Sequence, residues 1–186
     1  MSSKRDQILL ATRDLVFEHG LQDVTMSQVA EHAQVGMGTI YNYFPSKEDL
    51  IVSLFNEINV AMTQHILKGY DETQPVVVRV LYLLNSMVRY GLQHPREFLL
   101  TNQLAMVPFI HERVKGNVKA LAVAFDQLLS DAQEQHLLKA MPPAVMWVLV
   151  AGAMNALVEG HMTQQIELDQ ATIEQATSAC WDAIKR

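Results

Sequence analysis

The chain has 186 residues, 49% of them apolar and 18% charged, with a formal net charge of −6. That length supports a buried core, in one domain or in a small head and a larger body, and so apolar a chain with only 8 Gly and 6 Pro is not a disordered one. A lone cysteine, Cys180, excludes an internal disulfide framework and a cysteine-based zinc site. Lys4, Arg5, Asp6, Arg13, Asp14 and Glu18 leave no room for a secretory apolar segment. The longest apolar run, residues 144–154, is too short to cross a bilayer. The expectation is a cytoplasmic protein with no membrane partner.

In chain order, Ile8, Ala11, Leu15 and Val16 recur at helical spacing from Lys4 to His19, and Gly20 stops that helix. Thr25 and Gln28 form a capping-box pair that opens a short second helix, with Val29, Ala30 and Ala33 facing inward. Gln34 and Gly36 interrupt the spacing and make a tight turn. A third short helix carries Thr39, Ile40, Tyr41 and Tyr43 until Pro45 ends it. Two short helices joined by a three- or four-residue turn form a helix-turn-helix, whose second helix is of a size to enter a DNA major groove.

Ser46, followed by Lys47, Glu48 and Asp49, caps a longer helix to about Lys68. Leu50, Leu54, Ile58 and Ala61 share one face of it, and the register places His65 in the core. A polar loop, residues 69–74, leads through Pro75 to a helix from Val76 to Gln93. A short helix follows from Arg96 to Met106. Pro108 precedes a helix from Ile110 to about Leu138 that carries Val114, Val118, Leu121, Phe125, Leu128 and Ala132. After Pro142-Pro143, a helix from Ala144 to about Met162 is apolar nearly all round. The last, Asp169 to Lys185, puts Ile173, Ala176, Cys180, Trp181 and Ile184 on one face. No strand is needed, so the fold class is all-α. An exterior helix as apolar as residues 144–162 needs cover from outside its own subunit. Two copies of the last two helices can supply it as a two-fold four-helix interface, making a homodimer.

The run Gly38-Thr39-Ile40-Tyr41-Asn42-Tyr43-Phe44-Pro45-Ser46-Lys47-Glu48-Asp49-Leu50 closely resembles the signature of TetR-type transcriptional regulators. There a Gly-Thr-aliphatic-Tyr-x-Tyr-Phe recognition helix precedes Ser-Lys-Glu. The likeness extends over roughly residues 5 to 55 and takes in Ala11, Leu15, Phe17, Gly20 and Thr25. It implies a helix-turn-helix DNA-binding domain over residues 1–50 and a helical ligand-binding and dimerisation domain over residues 51–186. It also implies DNA contacts. Thr25, Tyr43 and Lys47 would meet phosphates, and Thr39 and Tyr41 would lie near bases or backbone. Met37 and Asn42 stand at positions that vary in the family. Asn suits adenine, and Met offers only apolar contact, as to a thymine methyl. Two residues depart from the pattern: Gln34 replaces the usual turn Gly, and Gly36 stands where a capping Ser is common. Gly36 is a tolerable cap but brings no hydroxyl to a phosphate.

For the body, the resemblance implies a pocket for a small, mainly hydrophobic inducer. The expected contacts are Met62, Met87, Tyr90, Phe98, Met106 and Trp147, since methionine and aromatic side chains repack around varied apolar molecules. Arg89 and Glu159 would add polar selectivity only if they face it. The partners are then a palindromic double-stranded operator, a second copy and the inducer, with no cofactor and no metal. An enzyme would need a nucleophile, base or metal set. No His-Glu-x-x-His, Gly-rich phosphate loop or Gly-x-Ser-x-Gly occurs. A ligand-independent DNA-binding or interaction module is the alternative. One feature opposes nucleic-acid binding: residues 1–50 hold four cations against seven acids. Contact must then rest on Lys47, helix N-termini and backbone N–H groups, so affinity is expected to depend only weakly on salt.

Overall fold

The computed structural model describes residues 3–114 and 120–186. Among the described residues ten helices follow one another: α1 (Lys4–His19), α2 (Met26–His32), α3 (Met37–Tyr43), α4 (Lys47–Leu67), α5 (Val76–Gln93), α6 (Pro95–Ala105), α7 (Pro108–Arg113), α8 (Ala120–Glu134), α9 (Pro143–Met162) and α10 (Gln170–Ile184). Among the described residues the one β feature is an isolated antiparallel bridge between Leu138 and Lys185. The fold is all-α. The helices form two compact units that are not linear pieces of the chain: Met1–Val60 with Arg96–Val118, and Ala61–Pro95 with Lys119–Arg186.

In the first unit, local chemistry fixes where each helix starts and stops. Ser3 Oγ accepts from the Asp6 N–H, and Asp6 returns a carboxylate to the Ser3 N–H, closing a capping box on α1. Gly20, at φ +81°, ends it with its N–H on the Val16 carbonyl. Thr25 and Gln28 make the expected box on α2, with Thr25 N to Gln28 Oε1 at 2.7 Å and Gln28 N to Thr25 Oγ1 at 3.3 Å. Ser46 caps α4 through the Asp49 N–H at 3.1 Å and donates its own hydroxyl to the Asp49 carboxylate at 2.6 Å. The core joins Ile8, Leu9, Leu15 and Val16 of α1 to Val29 and Ala30 of α2, Ile40 of α3, and Leu50, Ile51, Leu54 and Phe55 of α4. Leu100 and Leu104 of α6, Ile110 of α7 and Val114 belong to the same cluster.

In the second unit, α5 packs on α9 and α10, and α8 on α9. Val80, Leu83, Leu84 and Val88 of α5 are buried with Phe125, Leu128 and Leu129 of α8 and with Met146, Val150, Met154 and Val158 of α9. Ile173, Trp181 and Ile184 of α10 are buried too. Asn85 ties α5 to α10 by donating to the Thr177 hydroxyl at 3.1 Å.

Two sequence expectations need correction. The helix expected from Ile110 to about Leu138 is two helices. α7 ends at Arg113, Val114 is extended (φ −80°, ψ 101°), and α8 runs from Ala120 to Glu134. The single apolar period hides the break because Val114 serves the core of the first unit and Leu121 belongs to the second. Val118 lies outside the described residues. His65 is exposed rather than packed in the core, and so is Ala61. Along α4 the buried stripe drifts around the helix, from Leu50, Leu54 and Ile58 to Asn59, Thr63 and Ile66. Extrapolating the first half of the stripe therefore misplaces both residues.

Candidate nucleic-acid interface

Helix α3 has seven residues, and Ile40 is its one buried side chain, at 0% exposure. At about 100° per residue, Gly38 and Asn42, two positions before and after Ile40, each lie about 160° from it, at the centre of the outward face. Thr39 and Tyr41 flank that centre, and Met37 and Tyr43 lie nearest the buried column. Asn42 is exposed and Tyr41 is 49% exposed, with Tyr43 at 45% and Met37 at 40%, while Thr39 departs from this layout in being half-buried. α3 thus presents one amide, two phenols, a hydroxyl and a thioether around a glycine. A Cβ built on Gly38 meets nothing within 4 Å.

The turn into α3 carries the two departures seen in the sequence. Gln34 adopts φ +55°, the left-handed region that favours glycine, with the Val35 N–H on the Ala30 carbonyl at 2.9 Å. The turn is thus made with the left-handed residue a Gly would supply, at a strain cost of about 1 kcal/mol. Gly36 is the N-cap of α3 in extended conformation and offers no side-chain hydrogen bond. In the first turn of α3 the Thr39 N–H is taken by the Gly36 carbonyl at 2.9 Å, so an anion could be met only by the N–H groups of Met37 and Gly38.

Thr25 is exposed, and its hydroxyl donates to Gln28 Oε1 at 2.8 Å. Lys47 donates from Nζ to the Gln22 carbonyl at 3.2 Å, which ties the start of α4 to the loop before α2. Of the other cations in residues 1–50, Arg5 pairs with Glu57 at 2.9 Å and lies over the Phe44 ring. Arg13 pairs with Asp14 and Glu97 at 3.0 and 2.9 Å. Lys4 is exposed. Asp49 is held below the ordinary carboxylate range, first by the Ser46 hydroxyl and then by Arg113.

The residues expected around an inducer fall in both units. Phe98 is buried in the first, while Met106, also in the first, is 85% exposed. Met62, Met87, Tyr90 and Trp147 lie in the second. Met87 and Tyr90 are buried there, and Met62 and Trp147 are half-buried. The Trp147 ring lies 4.6 Å from that of Phe125. Tyr90 stands against His94 at 4.8 Å and His65 at 5.3 Å, ring centre to ring centre. Arg89 is exposed and donates to Gln170 at 2.8 Å, and Glu159 is exposed. A surface depression of about 770 Å³ lies elsewhere in this unit, lined by Gln133, His136, Lys139, Met141 and Arg186 among others. Gly38, at the centre of the outward face of α3, is absent from the contacts expected from the sequence. Its position two residues before Ile40 was the available signal.

A helix-turn-helix with an exposed, polar-aromatic second helix, carried on an all-α chain, defines a DNA-binding protein of the helical regulator class. The sequence pattern of the bacterial regulatory proteins, tetR family, matches residues 8–54, and that of the Tetracyclin repressor-like C-terminal domain matches residues 55–186. The chain belongs to the TetR family and is a DNA-binding transcriptional regulator, not an enzyme. It is 23% identical over 181 residues to an uncharacterized HTH-type transcriptional regulator of Haemophilus influenzae, covering 97% of this chain and 95% of that one. It is 48% identical over 134 residues to the HTH-type transcriptional repressor KstR of Mycolicibacterium smegmatis, covering 69% and 62%. Among solved structures, a putative TetR family regulator of Vibrio parahaemolyticus superposes with a TM-score of 0.84 at 25% identity, over 99% of this chain and all of that one. A putative tetR family regulator of Shewanella sp. PV-4 gives 0.89 at 20% identity over the whole of both chains.

Proposed function

We propose that the protein is a cytoplasmic, homodimeric repressor that binds a palindromic operator and leaves it when a mainly hydrophobic small molecule binds. The observation that carries the reading is the outward face of α3, where Gly38 and Asn42 are central and Thr39 and Tyr41 flank them. Asn42 would pair with an adenine edge and Gly38 would let the helix approach the groove floor. Tyr43, Thr25, Lys47 and the Met37 and Gly38 N–H groups would hold phosphates, with the Met37 side chain against a thymine methyl. DNA contact is assigned to residues 1–50, and ligand binding and dimerisation to residues 51–186.

The dimer proposal is supported by α9. Its strictly apolar run ends at residue 154, but the whole helix, Pro143–Met162, passes for a membrane span by length and composition alone, and it carries Val145, Val148 and Leu149 exposed, Val148 at 70%. We assign their cover to α9 and α10 of a second copy, burying apolar area at about 25 cal/mol per Å². The inducer is assigned to Met62, Met87, Tyr90 and Trp147 in the second unit. Ligand acts only through different affinities for DNA-competent and DNA-released arrangements.

The test uses full-length protein and a pool of random-sequence duplexes. The expected enrichment is an inverted repeat with half-sites about one helical turn apart or a multiple of it. Tyr41→Ala and Tyr43→Ala should each lose the enriched duplex. With Lys4 and Lys47 as the available cations, the salt slope of a dimer should be shallow, about four released counterions. A protein that stays monomeric on the duplex sinks the reading. The ligand-independent alternative predicts that no apolar compound releases the complex.

A further inference from the structure

We infer that Glu97 and Arg113, far in sequence from the helix-turn-helix, are positioning residues for DNA recognition, acting through Arg13 on α1 and Asp49 on α4. The inference rests on the reading that α3 and the start of α4 face DNA.

The core cluster that takes in Ile40 extends to residues of α6 and α7. Ile40, the one buried side chain of α3, belongs to the same cluster as Leu100, Leu104, Ile110 and Val114. A seven-residue helix with a single anchor takes its orientation from what surrounds that anchor. Two polar handles fix the α6–α7 segment at its ends. At the start of α6, Glu97 Oε1 accepts from Arg13 Nη1 at 2.9 Å, and beside it the Arg96 guanidinium lies 5.0 Å from the Phe17 ring centre. At the end of α7, Arg113 Nη2 donates to Asp49 Oδ1.

Asp49 is no ordinary surface acid, because its other carboxylate oxygen takes the Ser46 hydroxyl that caps α4. Arg113 therefore holds the cap itself. Lys47, in the same first turn, is tied to the loop before Thr25 through the Gln22 carbonyl. The phosphate-facing residues Thr25 and Lys47 and the reading helix between them thus share a frame whose outer braces are Glu97 and Arg113. Neither brace is suited to touch DNA. A carboxylate repels phosphate, and the Arg113 guanidinium is engaged by Asp49.

The test measures full-length protein on the duplex it enriches from a random pool and on a scrambled duplex of the same length. Removing a partly exposed ion pair has a small effect, so Glu97→Gln and Arg113→Ala should each weaken the enriched duplex about two- to fivefold. The scrambled duplex and the salt slope should stay unchanged, because no phosphate contact is lost. Arg113→Lys should recover most of the affinity, and Arg113→Ala should cost nothing further in an Asp49→Asn background. Amide hydrogen exchange of DNA-free protein should show faster exchange in the first turn of α4 for Arg113→Ala, with the melting temperature little changed. Wild-type affinity in Glu97→Gln and Arg113→Ala overturns the inference. So does a loss shared by both duplexes with a reduced salt slope, which marks a direct phosphate contact. If Arg113→Ala fails to fold, Arg113→Gln and Glu97→Gln carry the test, each with the same expected loss. If no duplex is enriched, the assignment of α3 to the groove fails, and unchanged exchange in α4 separately refutes the bracing role.

Discussion

Helix α3 of the first unit buries one side chain, Ile40. Helix α9 of the second buries Met146, Val150, Met154 and Val158 and still leaves Val145, Val148 and Leu149 exposed. Both helices are incomplete as parts of a lone chain, but in opposite chemistry. The free face of α3 offers an amide, phenols and a hydroxyl around a glycine, which suits a hydrated, hydrogen-bonding groove. That of α9 offers branched aliphatics, which gain only from another apolar surface. The unsatisfied surface of each unit thus states the kind of partner it awaits.

Five changes break or sharpen this contrast. The largest effect is expected at Leu104 on α6, buried in the core of the first unit. Leu104→Ala should destabilise that unit by about 2–5 kcal/mol, read as a lowered urea midpoint reported by a probe on α1. Next, Gly38→Leu fills the open space at the centre of the α3 face. It should weaken the enriched duplex about ten- to a hundredfold and leave the melting temperature unchanged or slightly raised, as a helix gains a better former. Val148→Asp places a charge on the α9 patch and should weaken the dimer at least about tenfold, visible by sedimentation, with the chain still helical by circular dichroism. Loss of dimer without loss of fold separates the two uses of apolar surface.

Smaller effects are expected at two turns. Gln34→Gly should relieve the left-handed strain at φ +55° and stabilise the first unit by up to about 1 kcal/mol, measured by chemical denaturation. In the second unit, Asp71 accepts from the Thr73 hydroxyl and N–H and from Gln74, which hold its carboxyl down to about 2 from an ordinary 3.8. A depressed folded pKa gives stability that is present above pH 3.8 and is lost as pH falls through about 2. Asp71→Asn should flatten the pH dependence of the urea midpoint in that window.

The first unit was legible where its signals are local. The Thr25–Gln28 box, the Ser46 cap and the Gly20 stop each bind a residue to a neighbour three or four positions away, so spacing alone reveals them. The left-handed turn was legible as an irregularity, though its strained position falls on Gln34 rather than on Gly36. What sequence could not show is non-local. Arg113 meets Asp49 across 64 positions and Arg13 meets Glu97 across 84, and no periodicity encodes such pairs. The Ile110–Leu138 period ran on unbroken because residues that serve different cores share one spacing. For the body, a methionine-rich helix reads alike whether it lines a pocket or a core. The exposure of Met106 is therefore information only coordinates supply.

The place of Leu100, Leu104, Ile110 and Val114 in the core of the first unit has a consequence for synthesis. Translation delivers the whole helix-turn-helix, which ends at Tyr43, about seventy residues before Val114, the last of these side chains, leaves the ribosome. At about 5–20 residues per second, the nascent amino terminus spends on the order of seconds with Ile8, Ile40 and Leu50 lacking part of their cover. Until Val114 emerges, the cluster that holds Ile40 of α3 is incomplete.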